Sequence, residues 1–203
     1  MTSFSSFTST DIAGYPKTIF DLKWNNEGNY LACVSGDKTV KVGQLDGNNG
    51  QYQFIHSIPT TIQMAQLCWN PIDQKRLSMC GDDKSVDLWD VRSSRVSSKI
   101  ASVGSHIHIA WSVCGNYIAT GNKSDVLAIL DVRKCALSMK LKSPYEMNEL
   151  AWTYNSDYIL AATGGDRLGA IDIIQVKSGQ LNVVDSIAGH ASNCVSYYTM
   201  SSN

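Results

Sequence analysis

The sequence has little that would commit it to a charged surface or a bilayer. Its 203 residues carry 17 Lys+Arg against 18 Asp+Glu, so no bulk field draws the chain onto a phosphate backbone or an anionic membrane. Any RNA contact would need a partner or a local basic patch. No apolar run approaches the ~20 residues that cross a bilayer as a helix. The longest, such as Val126-Leu-Ala-Ile-Leu130, are strand-sized. The stretch Met1 to Thr10 has neither a basic n-region nor an apolar h-region, which argues against a secretory signal. The expectation is a soluble intracellular protein.

Chemistry-bearing patterns are equally sparse. The six cysteines, Cys33, Cys68, Cys80, Cys114, Cys135 and Cys194, include no C-x-x-C pair. Structural zinc calls for closely spaced ligand pairs, so free thiols packing as small hydrophobes are expected and a metal is not. No G-x-x-x-x-G-K-[ST] phosphate loop occurs, and His56, His106, His108 and His190 have no nucleophile beside them in a catalytic context. His106 and His108 stand two apart in a strand and share a face, yet no third ligand is near. No catalytic, cofactor or metal site is therefore expected, nor a small-molecule substrate, and the chain is read as a non-enzyme.

What the sequence does have is a repeat. Trp24, Trp69, Trp111 and Trp152 each close an alternating apolar stretch and precede a short polar turn, at intervals of 45, 42 and 41 residues. A second apolar strand follows each (Tyr30–Val34, Arg76–Cys80, Tyr117–Thr120, Tyr158–Thr163). Then come Gly/Asp turns at Gly36-Asp37, Gly81-Asp-Asp83, Gly121–Asp125 and Gly164–Asp166, which suit the positive φ of tight hairpins. Third strands end the pattern at Thr39–Val42, Ser85–Trp89, Val126–Leu130 and Ala170–Ile174, with Asp90-Val-Arg92 and Asp131-Val-Arg133 after the second and third.

Short strands, regular turns and no helical periodicity predict an all-β chain. A period of about 40–45 residues is that of a four-stranded propeller blade, which must stack on neighbours to bury both faces. With Trp89-Asp90 and Gly189-His190 supplying the dipeptide signatures, the chain resembles a WD40-type β-propeller. The predicted organisation is a polar tail or closing strand over 1–14, blades at about 15–55, 56–98, 99–139 and 140–186, and a partial fifth over 187–203. Trp24, Asp37, Trp69, Asp83, Trp89, Asp90, Trp111, Trp152 and His190 are the structural repeat positions. Nine residues before each tryptophan, where the resemblance implies histidine, stand Tyr15, Thr60, Ser102 and Ser143. The histidine–aspartate–hydroxyl–tryptophan tetrad is thus expected to be incomplete, blade two keeping Asp83, Trp89 and Ser78. His190 alone holds the family position, with Cys194–Thr199 as the first strand of a fifth blade. The expectation is four blades and one further strand, an incomplete ring that leaves unpaired edges.

Finer resemblance comes from Gln66-Leu-Cys-Trp-Asn-Pro71, Gly81–Arg92, Ile107–Ser112, Ile118–Lys123, Asn148–Trp152 and His190-Ala-Ser-Asn-Cys194. In that order they resemble successive blades of the THO-complex subunit 3 family. The resemblance implies a nuclear, non-catalytic scaffold working with other THO/TREX subunits in transcription-coupled mRNA processing and export. Arg92, Arg95, Arg133 and Lys134 could align as a basic rim for a partner or RNA; solvated loop charge is the blander reading. Trp89-Asp-Val-Arg92 also fits the W-D-x-R box of cullin-ligase substrate receptors, and a generic adaptor for another complex is the third reading.

Overall fold

The structure is a computed structural model that describes residues 12, 14–45, 52–93, 95–165, 168–177 and 179–189. Every regular element among them is a strand. The first sheet is β1 (Ile19–Trp24), β2 (Tyr30–Ser35), β3 (Thr39–Leu45) and β4 (Tyr52–Pro59); the second is β5 (Met64–Trp69), β6 (Arg76–Gly81), β7 (Ser85–Asp90) and β8 (Val96–Ala101). The third is β9 (His106–Trp111), β10 (Tyr117–Asn122), β11 (Val126–Asp131) and β12 (Ala136–Lys142); the fourth is β13 (Glu146–Trp152), β14 (Tyr158–Gly164), β15 (Ala170–Lys177) and β16 (Gln180–Ala188). Each sheet is an antiparallel meander in chain order.

One device repeats at the first turn of every sheet. The residue after each tryptophan is polar, and its side chain accepts a backbone N–H from the turn that follows, in blades one, three and four from the first residue of the next strand. Asn25 Oδ1 takes Tyr30 N at 3.0 Å, Ser112 Oγ takes Tyr117 N at 3.0 Å and Thr153 Oγ1 takes Tyr158 N at 3.1 Å. Asn70 Oδ1 takes Ile72 N and Asp73 N, each at 2.8 Å. Such caps offer the chain a turn in place of a longer strand.

The sheets stack in sequence through their first strands, β1 on β5, β5 on β9 and β9 on β13. Three apolar layers lie between them. Val40, Val42, Trp69, Leu77 and Trp89 fill the first, Val86, Ile100, Ile109, Trp111 and Leu130 the second, and Leu127, Ile129, Leu150, Trp152 and Ile174 the third. Middle strands such as β6 and β10 are buried along nearly their whole length, whereas the outermost β12 and β16 are largely exposed. Each sheet is thereby a blade, and the four do not close into a ring.

All four expected junctions between blades fall inside an outermost strand. The junctions at 55/56, 98/99, 139/140 and 186/187 cut β4, β8, β12 and β16. The half-exposed outer strand carries no apolar alternation to mark its end, which is why a boundary read from periodicity lands early. Of the expected tail over 1–14, Ile12 and Gly14 are described; His190, Asp166 and the expected strand Cys194–Thr199 lie outside the described residues.

Candidate functional site

The surfaces between blades are held by two hydrogen bonds that repeat in register. Trp69 Nε1 donates to the Lys23 carbonyl at 2.8 Å, and Trp152 Nε1 donates to the Ala110 carbonyl at 3.1 Å. In each case the acceptor immediately precedes the tryptophan of the preceding blade. Two residues earlier the later blade again donates, now from its backbone to a side chain of the preceding blade. Asp21 Oδ2 accepts Leu67 N at 3.0 Å and Gln66 Oε1 accepts Ile109 N at 2.7 Å. Asp21, Gln66, His108 and Glu149 all stand three residues before their tryptophan. A polar residue recurring inside an otherwise apolar strand was the readable signal for this staple, and spacing of the tryptophans alone passed it over.

Trp69, Trp111 and Trp152 are 5%, 7% and 6% exposed, whereas Trp24, on the outward face of blade one, is 45% exposed beside Phe20 and Leu22. Trp89 is fully buried, and His56 of blade one meets its ring edge-on at 5.9 Å.

The expected tetrad members of blade two do not bond to one another. Trp89 Nε1 donates to the Ser93 carbonyl at 2.8 Å, Ser78 Oγ donates to the Cys68 carbonyl at 3.2 Å, and Asp83 accepts Ser85 Oγ at 2.8 Å. Without the histidine that links acid to hydroxyl, each side chain finds a local partner. Asp37 does the same in blade one, accepting Thr39 N at 2.9 Å and Thr39 Oγ1 at 2.6 Å. That hydroxyl bond holds its carboxyl below the usual carboxylate range. At the register positions nine before the tryptophans, Thr60 Oγ1 donates to Lys38 O and Ser143 Oγ to Tyr145 O. Backbone bonds from Thr60, Ser102 and Ser143 to Lys38, Lys84 and Asp125 extend the pairing of the third and fourth strands to the end of each blade.

His106 occupies a position that Met64 and Met147 fill in blades two and four, five residues before the tryptophan. It is 1% exposed, and neither ring nitrogen has a partner. Burial pushes its pKa down, with the charge of Asp83 acting the other way. Burial pushes His108 down as well. Among the described residues no group of three or more His, Cys, Asp or Glu side chains is placed to hold a metal ion.

The basic rim residues differ from one another. Asp90 grips Arg92 through Nε at 2.8 Å and a second guanidinium nitrogen at 2.5 Å, and Asp73 reaches it at 3.4 Å. The Arg92 bond holds the Asp90 carboxyl below its ordinary value. Asp131 spends itself on the backbone, accepting Arg133 N at 3.0 Å and Lys134 N at 3.1 Å, while the two cationic heads lie 3.9 and 4.0 Å away. Arg133 and Lys134 are mostly solvated, and Arg95 is exposed. The structure thus leaves Arg95, Arg133 and Lys134 open on the blade rims and ties up Arg92.

A protein-family model described as "WD domain, G-beta repeat" matches residues 6–42, which span β1, β2 and most of β3. That match and the four four-stranded sheets agree with a WD40-type β-propeller fold. THO complex subunit 3 of Arabidopsis thaliana is 31% identical over 128 residues, covering 63% of this chain and 41% of the relative. WD repeat-containing protein AAC3 of Dictyostelium discoideum is 24% identical over 145 residues, covering 63% and 30%. A probable cytosolic iron-sulfur protein assembly protein, the CIAO1 homolog of Nematostella vectensis, is 31% identical over 85 residues, covering 38% and 26%. The chain spans less than half the length of these curated relatives.

Proposed function

We propose that this chain is a non-catalytic WD40 scaffold of a THO-type assembly, acting in the nucleus with other THO/TREX subunits on mRNA that is being transcribed, processed and exported. The observation that carries this reading is the 31% identity to THO complex subunit 3 over 128 residues. In this reading the blades supply rims for protein partners, and mRNA association is indirect. Arg95, Arg133 and Lys134 are the rim cations available to an acidic partner or to RNA, with Arg92 held in reserve by Asp90 and Asp73. A generic adaptor in another complex is the second reading, favoured by a match of equal coverage, 63% of this chain, to WD repeat-containing protein AAC3.

The test is affinity purification of the tagged 203-residue chain from nuclear extract. Recovery of THO subunits supports the first reading, and recovery of a different complex supports the second. Recovery of a cullin adaptor that is lost on Arg92→Ala would replace both with the W-D-x-R substrate-receptor function. Charge reversal of Arg133 and Lys134, with recovery of RNA measured across salt, tests the rim: direct phosphate contact predicts binding that falls steeply with salt.

A further inference from the structure

Three columns of side chains run along the first strands and look toward the preceding blade. Met64, His106 and Met147 form one, five residues before the tryptophan; Leu67, Ile109 and Leu150 form the next, two residues before it; Trp69, Trp111 and Trp152 form the third. All nine are buried against the blade before them. Blade one carries the same column residues, Ile19, Leu22 and Trp24, and there they are 37%, 50% and 45% exposed. Leu31 and Cys33, opposite Trp24 and Leu22 on β2, are buried, so the open strip follows β1 itself. Its composition is that of a core position, not of a surface.

Blade four is open on the matching side. Ile58 and Ile100, opposite Val40 and Val86, are buried in the layers toward blades two and three. Ile187 takes that register opposite Ile171 and is 56% exposed, and Ile171 and Ile173 are half-buried where Val40 and Val42 are fully buried. The hydrogen bond that joins blades also has a direction. Its donor is the tryptophan on one face of the later blade, and its acceptor is the carbonyl before the tryptophan on the other face of the earlier one. By that register blade one brings the donor, Trp24 Nε1, and blade four brings the acceptor, the Ala151 carbonyl. Glu149 stands where Asp21 and Gln66 accept the backbone of the next blade. The two open faces are thus the two unlike halves of one contact that the chain already makes three times.

We infer that the outward face of blade four of a second copy of this chain covers blade one. Trp24 Nε1 donates to the Ala151 carbonyl of the second copy, and Ile19 and Leu22 pack on its first and third strands. Leu22 N, which bonds to the neighbouring Asp21 Oδ1 at 2.9 Å in the single chain, comes opposite Glu149 of the second copy. Blade one set on blade one would place donor against donor, so the contact is head to tail. A head-to-tail contact repeats until the rotation closes it. Four blades from each of two copies make eight, within the roughly 4–8 of closed propellers, and the second contact then buries the remaining pair of open faces. Nothing in this contact depends on which assembly the chain joins.

The test weighs the 203-residue chain by light scattering across a concentration series, and follows by NMR the Trp24 indole N–H, assigned through Trp24→Phe. A closed pair predicts twice the mass of one chain and a Trp24 resonance that moves as the pair forms. Leu22→Glu spoils only the face of blade one, and Ile187→Glu only that of blade four. Both side chains are half exposed in the single chain, so circular dichroism and the thermal midpoint at high dilution should hold. Should either glutamate unfold the chain, Leu22→Ser and Ile187→Ser serve in the same scheme. Each variant should associate at least about tenfold more weakly than the parent. Mixed in equal amounts the two should pair again, because each supplies the face that the other lacks, and labelled I187E should show its Trp24 resonance move only when L22E is added. A monomer at every concentration means that something other than a second copy covers blade one and overturns the assignment. Masses that climb beyond two copies, pairing that survives in either variant alone, or a mixture that stays monomeric would overturn it as well.

Discussion

The inter-blade tryptophans allow a comparison in which most of the energetics cancels. Trp69, Trp111 and Trp152 occupy one register and are buried alike at 5%, 7% and 6% exposure, so replacement by Phe removes a similar apolar area at each. What differs is the indole proton. Trp69→Phe leaves the Lys23 carbonyl without a donor now 2.8 Å away, and Trp152→Phe does the same to Ala110 at 3.1 Å. Trp111→Phe removes a donor that has no acceptor. A hydrogen bond of this kind contributes about 0.5–1.5 kcal/mol net, and an orphaned buried group costs about 1–3 kcal/mol. Beyond the shared packing loss, W69F and W152F lose the first quantity, while W111F recovers part of the second. The first two should therefore be less stable than W111F by about 1–2 kcal/mol. Urea denaturation of all three chains, followed by circular dichroism and by fluorescence of the remaining indoles, measures this. The midpoints are comparable so long as the slopes agree, since a changed slope means that blades are separating independently. If W111F costs as much as the other two, the indole bonds contribute nothing to blade stacking and the register argument fails.

Three other outcomes follow from the same geometry. A methyl group at Gly81 would lie 2.1 Å from the Gln63 carbonyl oxygen, so Gly81→Ala should destabilise the chain by roughly 3 kcal/mol or more; at Gly28, where φ is +70° and nothing lies within 4 Å, the same change should cost about 1 kcal/mol, and thermal melts of the pair would separate steric from conformational cost. Asp21→Ala, which strips the acceptor from Leu67 N, should cost about 1–3 kcal/mol while Asp21→Asn, which keeps an acceptor, costs little; equal midpoints in urea would refute the staple. The last concerns pH. Burial depresses the His106 pKa in the folded chain, whereas the unfolded chain titrates near the ordinary ~6.5. Below that value the unfolded state binds a proton that the folded state refuses, so stability is complete above about pH 6.5 and is lost as pH falls, by up to about 1.4 kcal/mol per unit until the depressed pKa is reached. His106→Met, using the side chain found at this register in blades two and four, should flatten the dependence of the urea midpoint on pH between about 5 and 7.5, and an unchanged slope would show that His106 is not its source.

The parts of this fold legible in sequence are those where burial imposes a pattern. A first strand ending in tryptophan and a second that is apolar on both faces suit a blade stacked on both sides, and β6 and β10 of the two inner blades read as continuous apolar runs for that reason. The fourth strand of each blade escaped because it faces solvent. In β12 the residues from Ala136 to Lys142 include no fully buried side chain, so no periodicity marks it, and every blade boundary was placed inside such a strand. Chemistry between blades was hidden for a different reason. The partner of Asp21 is Leu67 and that of Gln66 is Ile109, 46 and 43 residues away, and only the stacking of consecutive first strands brings them together. The expected rim was legible as a set of cations but not as a set of free ones, because Asp90 and Asp131 both cap the backbone of their own turn, yet only Asp90 also grips its arginine head closely, Arg133 staying 3.9 Å from Asp131. Sequence places the same Asp-x-Arg at both turns. The placement of the arginine head decides which arginine a partner can reach, so Arg133 and Lys134, rather than Arg92, are where substitution should alter binding without first breaking a close bond of the fold.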